Sequence, residues 1–158
     1  MKKWSILLVI FLCIAIWQTV SVYHAAVESK QPLIETARKR AEEKVRFAHI
    51  DDVYTYYGEK TYVVFVGTDR KGTKKIAWVP EKKGRIIVKR AQSGITREEA
   101  IKKLEAQRHP QRIVSVKLGM EKEVPLWELT YIDQNNRYSF YYISFEDGTF
   151  LKRYSFQQ

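Results

Sequence analysis

One order of elements occurs twice along this chain, and that repetition restricts it to two similar α+β units. Pro32 suits the opening turn of a helix, where its missing N–H costs nothing. Leu33, Ala37, Ala41, Val45 and Ala48 then recur at spacings of four and three, which sets them on one helical stripe. Four strand-like runs follow at 50–57, 61–68, 75–79 and 85–90, separated by turn-like segments at 58–60, 69–72 and 81–84. Then the order restarts. Thr96 and Glu99 have the spacing of a capping box, Ile95 stands where a hydrophobic staple onto Ala100 would sit, and the helix is expected to begin at Arg97. Ala100, Ile101 and Leu104 form its apolar face, with Glu98–Lys102 and Glu99–Lys103 as solvent-side pairs, and His109-Pro110 ends it. Four more strand-like runs lie at 112–118, 126–132, 138–145 and 149–156. Gly84 and Gly148, each in a turn between the third and fourth run of its half, imply a period of about 64 residues.

Each half is therefore expected to be one helix packed on a four-stranded antiparallel meander, giving an α+β protein with two tandem repeats at 32–93 and 94–158. In the seventh run Tyr138, Phe140 and Tyr142 point to one side while Tyr141, Ile143 and Phe145 point to the other. One helix cannot cover both sides of such a sheet. Either the halves pack on each other, or Tyr138, Phe140 and Tyr142 form a candidate partner surface.

Ahead of the repeats, residues 4–23 carry no formal charge after Lys2 and Lys3. Twenty mostly apolar residues at about 1.5 Å rise each cover roughly 30 Å, the thickness of a bilayer's hydrocarbon core. The expectation is a cytoplasmic tip and transmembrane helix over 1–23, with Lys2, Lys3, Trp4, Trp17 and Tyr23 at the membrane interfaces. A cleaved signal peptide would need small residues at its cleavage site, and His24-Ala25-Ala26 sets an imidazole there. Residues 24–31 form a short linker that reaches roughly 28 Å when extended. The orientation predicted is a single-pass cell-membrane protein with its N-terminus in the cytoplasm and its folded part extracytoplasmic, close to the bilayer.

Charge and chemistry narrow the function further. The net charge is +10, and the excess sits near the membrane: residues 30–93 hold sixteen Lys plus Arg against eight Asp plus Glu, whereas 94–158 hold ten against nine. That half is generally attractive to anionic lipid headgroups or wall polymers. Arg38-Lys39-Arg40 is scattered around a helix by its spacing, with Glu35–Lys39 and Glu42–Arg46 as expected pairs, so it reads as a solvated face rather than a nucleic-acid site. The single cysteine, Cys13, falls in the apolar segment, which leaves the folded part without a disulfide or thiol nucleophile. His49 and His109 follow the two helices, where a cation can face the negative end of the helix dipole. Asp51-Asp52 cannot converge if they alternate across a strand. No phosphate loop, dinucleotide fingerprint or hydrolase motif is present. The reading is a non-enzymatic protein with no catalytic, cofactor or metal site, no nucleic-acid partner and no small-molecule substrate.

The run Ile95-Thr96-Arg97-Glu98-Glu99-Ala100-Ile101 resembles the opening of a PepSY domain, and Glu146-Asp147-Gly148-Thr149-Phe150 resembles its closing hairpin. The whole layout, from Lys2-Lys3-Trp4 through both repeats, resembles the cell wall elongation regulator (TseB-like) family of small single-pass proteins in Bacillus-type bacteria. This resemblance implies cystatin-like repeats, each with its sheet wrapped around one helix, and a role beside a penicillin-binding transpeptidase of the elongation machinery. It supplies no catalytic residues. The PepSY resemblance implies an alternative, an inhibitor or chaperone of an extracytoplasmic protease, and the basic half a further one, a binder of anionic wall polymer or lipid headgroups.

Overall fold

The computed structural model describes residues 17–18 and 31–157. No helix among them is long and apolar enough to cross a membrane. The anticipated transmembrane segment and linker, including Lys2, Lys3, Trp4 and Tyr23, lie outside the described residues except at three positions: Trp17, which is exposed, Gln18, and Gln31, which opens the first helix instead of ending the linker.

The first repeat consists of helix α1 (Gln31–Glu42) and strands β1 (Phe47–Tyr57), β2 (Thr61–Asp69), β3 (Lys74–Pro80) and β4 (Ile87–Arg90). After a 3₁₀ turn at Ala91–Ser93 come helix α2 (Arg97–Arg108) and strands β5 (Arg112–Glu121), β6 (Val124–Ile132), β7 (Tyr138–Ser144) and β8 (Phe150–Phe156). Each set of four strands forms its own antiparallel sheet in sequence order.

The second helix opens at Arg97 because its end is closed chemically. Glu99 N–H donates to the Thr96 hydroxyl at 3.2 Å, and Thr96 N–H donates to the Glu99 carboxylate at 2.7 Å. Glu99 is thus engaged at the cap. His109 ends the helix in the left-handed region, φ 46°, its N–H bonded to the Glu105 carbonyl.

The first helix is shorter than its apolar stripe. It stops at Glu42, Val45 still reaches the core, and Ala48 belongs to β1, where a register shift leaves it as the extra residue of a bulge. His49 accordingly sits within β1, 3.5 Å from Asp51, and does not cap α1. Glu35 meets Arg38 at 3.8 Å instead of the expected Lys39. Arg40 turns inward: its guanidinium donates to the carbonyls of Pro80, Lys82 and Gly84, holding the β3–β4 connection against the helix.

The repeat's period is written in a different turn from the one the glycines marked. Gly148 adopts φ 71°, but Gly84 is not among the glycines with positive φ. The close match lies between the second and third strands of each sheet. Asp69 Oδ1 accepts from Lys71 N–H (2.9 Å) and Thr73 N–H (3.0 Å); Asp133 Oδ1 accepts from Asn135 N–H (2.9 Å) and Arg137 N–H (3.0 Å). Each turn then needs a left-handed residue, supplied by Gly72 at φ 77° and Asn136 at φ 57°.

Period-two alternation gives sheet 1 two apolar faces. Val63, Phe65, Ala77 and Val79 pack with Ala37, Ala41 and Val45 beneath α1. Tyr56, Tyr62, Val64, Ile76 and Trp78 enter a larger core shared with Ala100 and Leu104 of α2 and with sheet 2. The halves therefore do pack on each other. Tyr54 Oη accepts from Leu118 N–H at 2.9 Å and lies 3.3 Å from the Leu118 carbonyl, so it satisfies backbone groups on the free edge of β5. Gly119 admits the neighbouring ring, since a Cβ there would meet Tyr56 Cζ at 2.4 Å. Trp78 meets Phe145 edge-on at 5.6 Å, and Lys89 pairs with Glu146 across the same boundary.

Candidate interaction surface

Sheet 2 has one face under α2 and one without a helix. Beneath the helix lie Leu129, Tyr131, Tyr141 and Ile143, with Leu129 and Tyr141 directly opposite each other, on the face that alternates away from Tyr142 and Phe140. Tyr141 Oη donates to Gln107 Oε1 at 2.6 Å and Trp127 Nε1 to the Ile95 carbonyl at 3.0 Å, which pins α2 there.

The opposite face carries Tyr138, Phe140 and Tyr142, as the alternation predicts. Strand order adds their neighbours: Tyr142 stands opposite Lys152, Phe140 opposite Tyr154, and Tyr138 opposite Phe156. The rings interlock, Tyr138 with Phe140 at 5.8 Å, Phe140 with Phe156 at 6.0 Å, and Tyr142 with Tyr154 at 6.0 Å. Their exposure is graded. Tyr142 is only 8% exposed, in the core shared with Tyr56, whereas Tyr154 and Phe156 are 49% and 58% exposed, and Tyr138 and Phe140 are half-buried. Sequence reading had singled out β7 and missed β8. The signal was available, because Lys152, Tyr154 and Phe156 alternate in step with Tyr138, Phe140 and Tyr142 in an antiparallel neighbour.

Where the face runs under the first repeat it is polar as well as aromatic. Burial, followed by the nearby Glu128 carboxylate, pushes the Tyr56 and Tyr142 phenols well above the usual range. Burial also raises Tyr54. These phenols stay neutral at any physiological pH and serve as packing groups, Tyr54 also hydrogen-bonding the β5 backbone. Lys152 sits 4.6 Å and 5.2 Å from the ring centres of Tyr142 and Tyr154 and pairs with Glu121. Burial pulls its ammonium down, but Glu121 outweighs that and raises it overall.

Elsewhere the surface offers little that converges on chemistry. A cleft of about 460 Å³ between the repeats has Tyr54, Ile76, Val116 and Trp127 in its lining and Asp52, Lys74, Arg97 and Glu98 among its charged groups. Asp51 is engaged by His49 and by Lys74 at 3.4 Å. Among the described residues no three His, Cys, Asp or Glu side chains are grouped to hold a metal ion.

The fold and this surface define a class: a tandem α+β protein with two helix-backed antiparallel sheets joined through a common core, with six of the eight exposed large hydrophobic residues among the described residues on its second sheet. The chain belongs to the TseB-like family of cell wall elongation regulators. Residues 36–80 match the cell wall elongation regulator TseB-like domain, and residues 94–154 match the peptidase propeptide and YPEB (PepSY) domain. A relative described as a probable cell wall elongation regulator TseB, from Bacillus subtilis (strain 168), is 37% identical over 145 residues, covering 91% of this chain and 89% of the relative. The solved YpmB protein from Bacillus subtilis superposes with a TM-score of 0.72 at 38% identity, covering 77% of this chain and 95% of that one.

Proposed function

We propose that this protein regulates cell wall elongation without catalysing a reaction, by binding a protein of the wall-synthesis machinery at the outer face of the cell membrane. The family supports the process, since the Bacillus relative is described as a probable cell wall elongation regulator. The observation that carries the binding reading is the helix-free aromatic face of sheet 2, where Tyr138, Phe140 and Phe156 interlock and Tyr154, packed on Tyr142, stands opposite Phe140 in the same partly exposed row. Large exposed apolar clusters on a packed domain mark contact surfaces, and aromatic side chains dominate the energetics of such contacts.

In this reading residues 1–23 anchor the chain as a single-pass helix with a cytoplasmic N-terminus, Lys2, Lys3, Trp4, Trp17 and Tyr23 lie at the interfaces, and residues 24–31 hold two cystatin-like repeats, 32–93 and 94–158, near the bilayer. The partner is a penicillin-binding transpeptidase of the elongation machinery. Contact is made through Tyr138 and Phe140, with Tyr142 supporting them from below. Anionic wall polymer is a secondary partner of the basic first repeat.

A photocrosslinker placed at Phe156 in intact cells tests the reading. The expected result is capture of a penicillin-binding protein, reduced when Phe140 is replaced by Asp. Recovery of an extracytoplasmic protease instead, or of no wall enzyme under conditions that preserve known complexes, would overturn it.

A further inference from the structure

Sheet edges are templates for another strand, and folded proteins blunt them with bulges, short strands, charges or covering groups. Three of the four edges here are blunted in these ways. Strand β1 carries bulges at Ala48 and Asp51. Strand β4 spans only four residues. Strand β5 has its Leu118 backbone covered by Tyr54.

The fourth edge, β8, is different. Its one irregularity is at Leu151, after which residues 152–156 run in unbroken register with β7. No strand among the described residues pairs with its outer side. Its side chains are apolar on both faces: Phe150, Leu151, Tyr154 and Phe156 are all large hydrophobics at 42–58% exposure. Such an edge is a hazard unless something uses it.

Its two faces also differ in charge. On the face opposite α2, Lys152 is already neutralised by Glu121, leaving Tyr154 and Phe156 as an apolar row continuous with Phe140. On the helix side, Arg153 stands opposite Tyr141, and the Arg108 guanidinium lies 5.9 Å and 5.8 Å from the ring centres of Tyr141 and Phe150. Neither arginine meets a carboxylate among the described residues, and Arg108 Nε is buried with no hydrogen-bond partner.

We infer that β8 is a strand-addition site, and that its occupant is an extended segment of a partner protein in which acidic residues alternate with apolar ones. Main-chain hydrogen bonds along 152–156 supply affinity, and the alternate side chains supply selectivity. Carboxylates on one side of the added strand meet Arg153 and Arg108, while apolar residues on the other extend the Phe140, Tyr154 and Phe156 row. A second copy of this chain fits less well, because edge-to-edge pairing would bring two sets of Arg153 and Arg108 together. The inference rests on the reading of the protein as an interaction module and specifies how the contact is made.

The test uses the full chain in lipid nanodiscs with a blocked seven-residue peptide alternating glutamate and valine. Two control peptides carry lysine in place of glutamate, or N-methyl groups on every amide, which removes the donors from both edges. Amide hydrogen exchange is expected to slow within residues 152–156 for the glutamate peptide alone. Arg153→Glu, at an exposed position, is expected to weaken that peptide by about tenfold and to favour the lysine peptide. The idea fails if the N-methylated peptide binds equally well, if no peptide protects β8, or if β8 is protected without peptide in a concentration-dependent way, which would assign the edge to self-association. Capture of a wall enzyme in cells alongside failure of the peptides would sink strand addition and leave the proposed function standing.

Discussion

Asp69 and Asp133 occupy the same place in the two repeats and perform the same task, folding a tight turn by accepting two backbone N–H groups onto one carboxylate oxygen. Hydrogen bonds to the ionised form favour it. For Asp69 the Thr73 N–H and the Lys75 ammonium, 3.1 Å away, hold the carboxyl below its usual range. For Asp133 burial pulls the other way, but the Arg137 side chain and the turn N–H groups prevail and lower it. Asp147 follows the same logic at the last hairpin, where the Thr149 N–H brings it to about 2. A carboxyl whose folded pKa is depressed stabilises the fold above its unfolded pKa, about 3.9, and loses that contribution as pH falls through the folded value. Acid should therefore destabilise this protein from about pH 4 downward. The paired variant Asp69→Asn with Asp133→Asn keeps an acceptor in each turn but removes the titration. Its thermal midpoint should be lower than the parent's at neutral pH and fall less between pH 4 and pH 2 (the range set by ordinary and depressed carboxyls). Parallel curves for parent and variant would exclude these two turns as the acid-sensitive elements.

At the scale of the element, the cap fixes where α2 begins, while Ala100 and Leu104, its two fully buried residues, hold it to the core. Thr96→Ala removes one side of the capping box and should cost about 1 kcal/mol in urea denaturation; Thr96→Ser should cost much less, and equal losses would mean the box is not what holds the helix. This cap was legible in the sequence because its partners are three residues apart. The eight strands and their antiparallel order were legible for a similar reason: alternation and turn residues are local signals. The bulges at Ala48 and Asp51 were not, since an extra residue in an edge strand is imposed by its neighbour's register. Nor was the inward turn of Arg40, whose acceptors lie some forty residues away on the β3–β4 connection. The candidate surface was half legible. The three aromatics of β7 announced a face, but how much of it stays open depends on where the first repeat rests, and that buries Tyr142 while leaving Tyr154 and Phe156 bare.

The whole molecule behaves as two folds with one core. Trp78 belongs to sheet 1, is fully buried, and sits in the same cluster as Leu104, Met120, Leu126 and Phe145 of the second repeat. The boundary also carries hydrogen bonds from Tyr54 to the β5 backbone. Domains of about 60 residues bury too little surface to be comfortably stable alone, so each repeat depends on this shared region. Unfolding should then be a single cooperative event. Trp78→Ala opens a cavity at the boundary and should cost about 3–5 kcal/mol, the range for deleting a buried aromatic ring. The telling readout is where the loss is felt. Native-state hydrogen exchange should show slow amides in β2 and β3 of the first sheet and in β6 and β7 of the second all weakened by similar amounts. If only the first sheet loosened while β6 and β7 kept their protection, the repeats would be independent units in contact. The aromatic face and the β8 edge would then owe nothing to the first repeat.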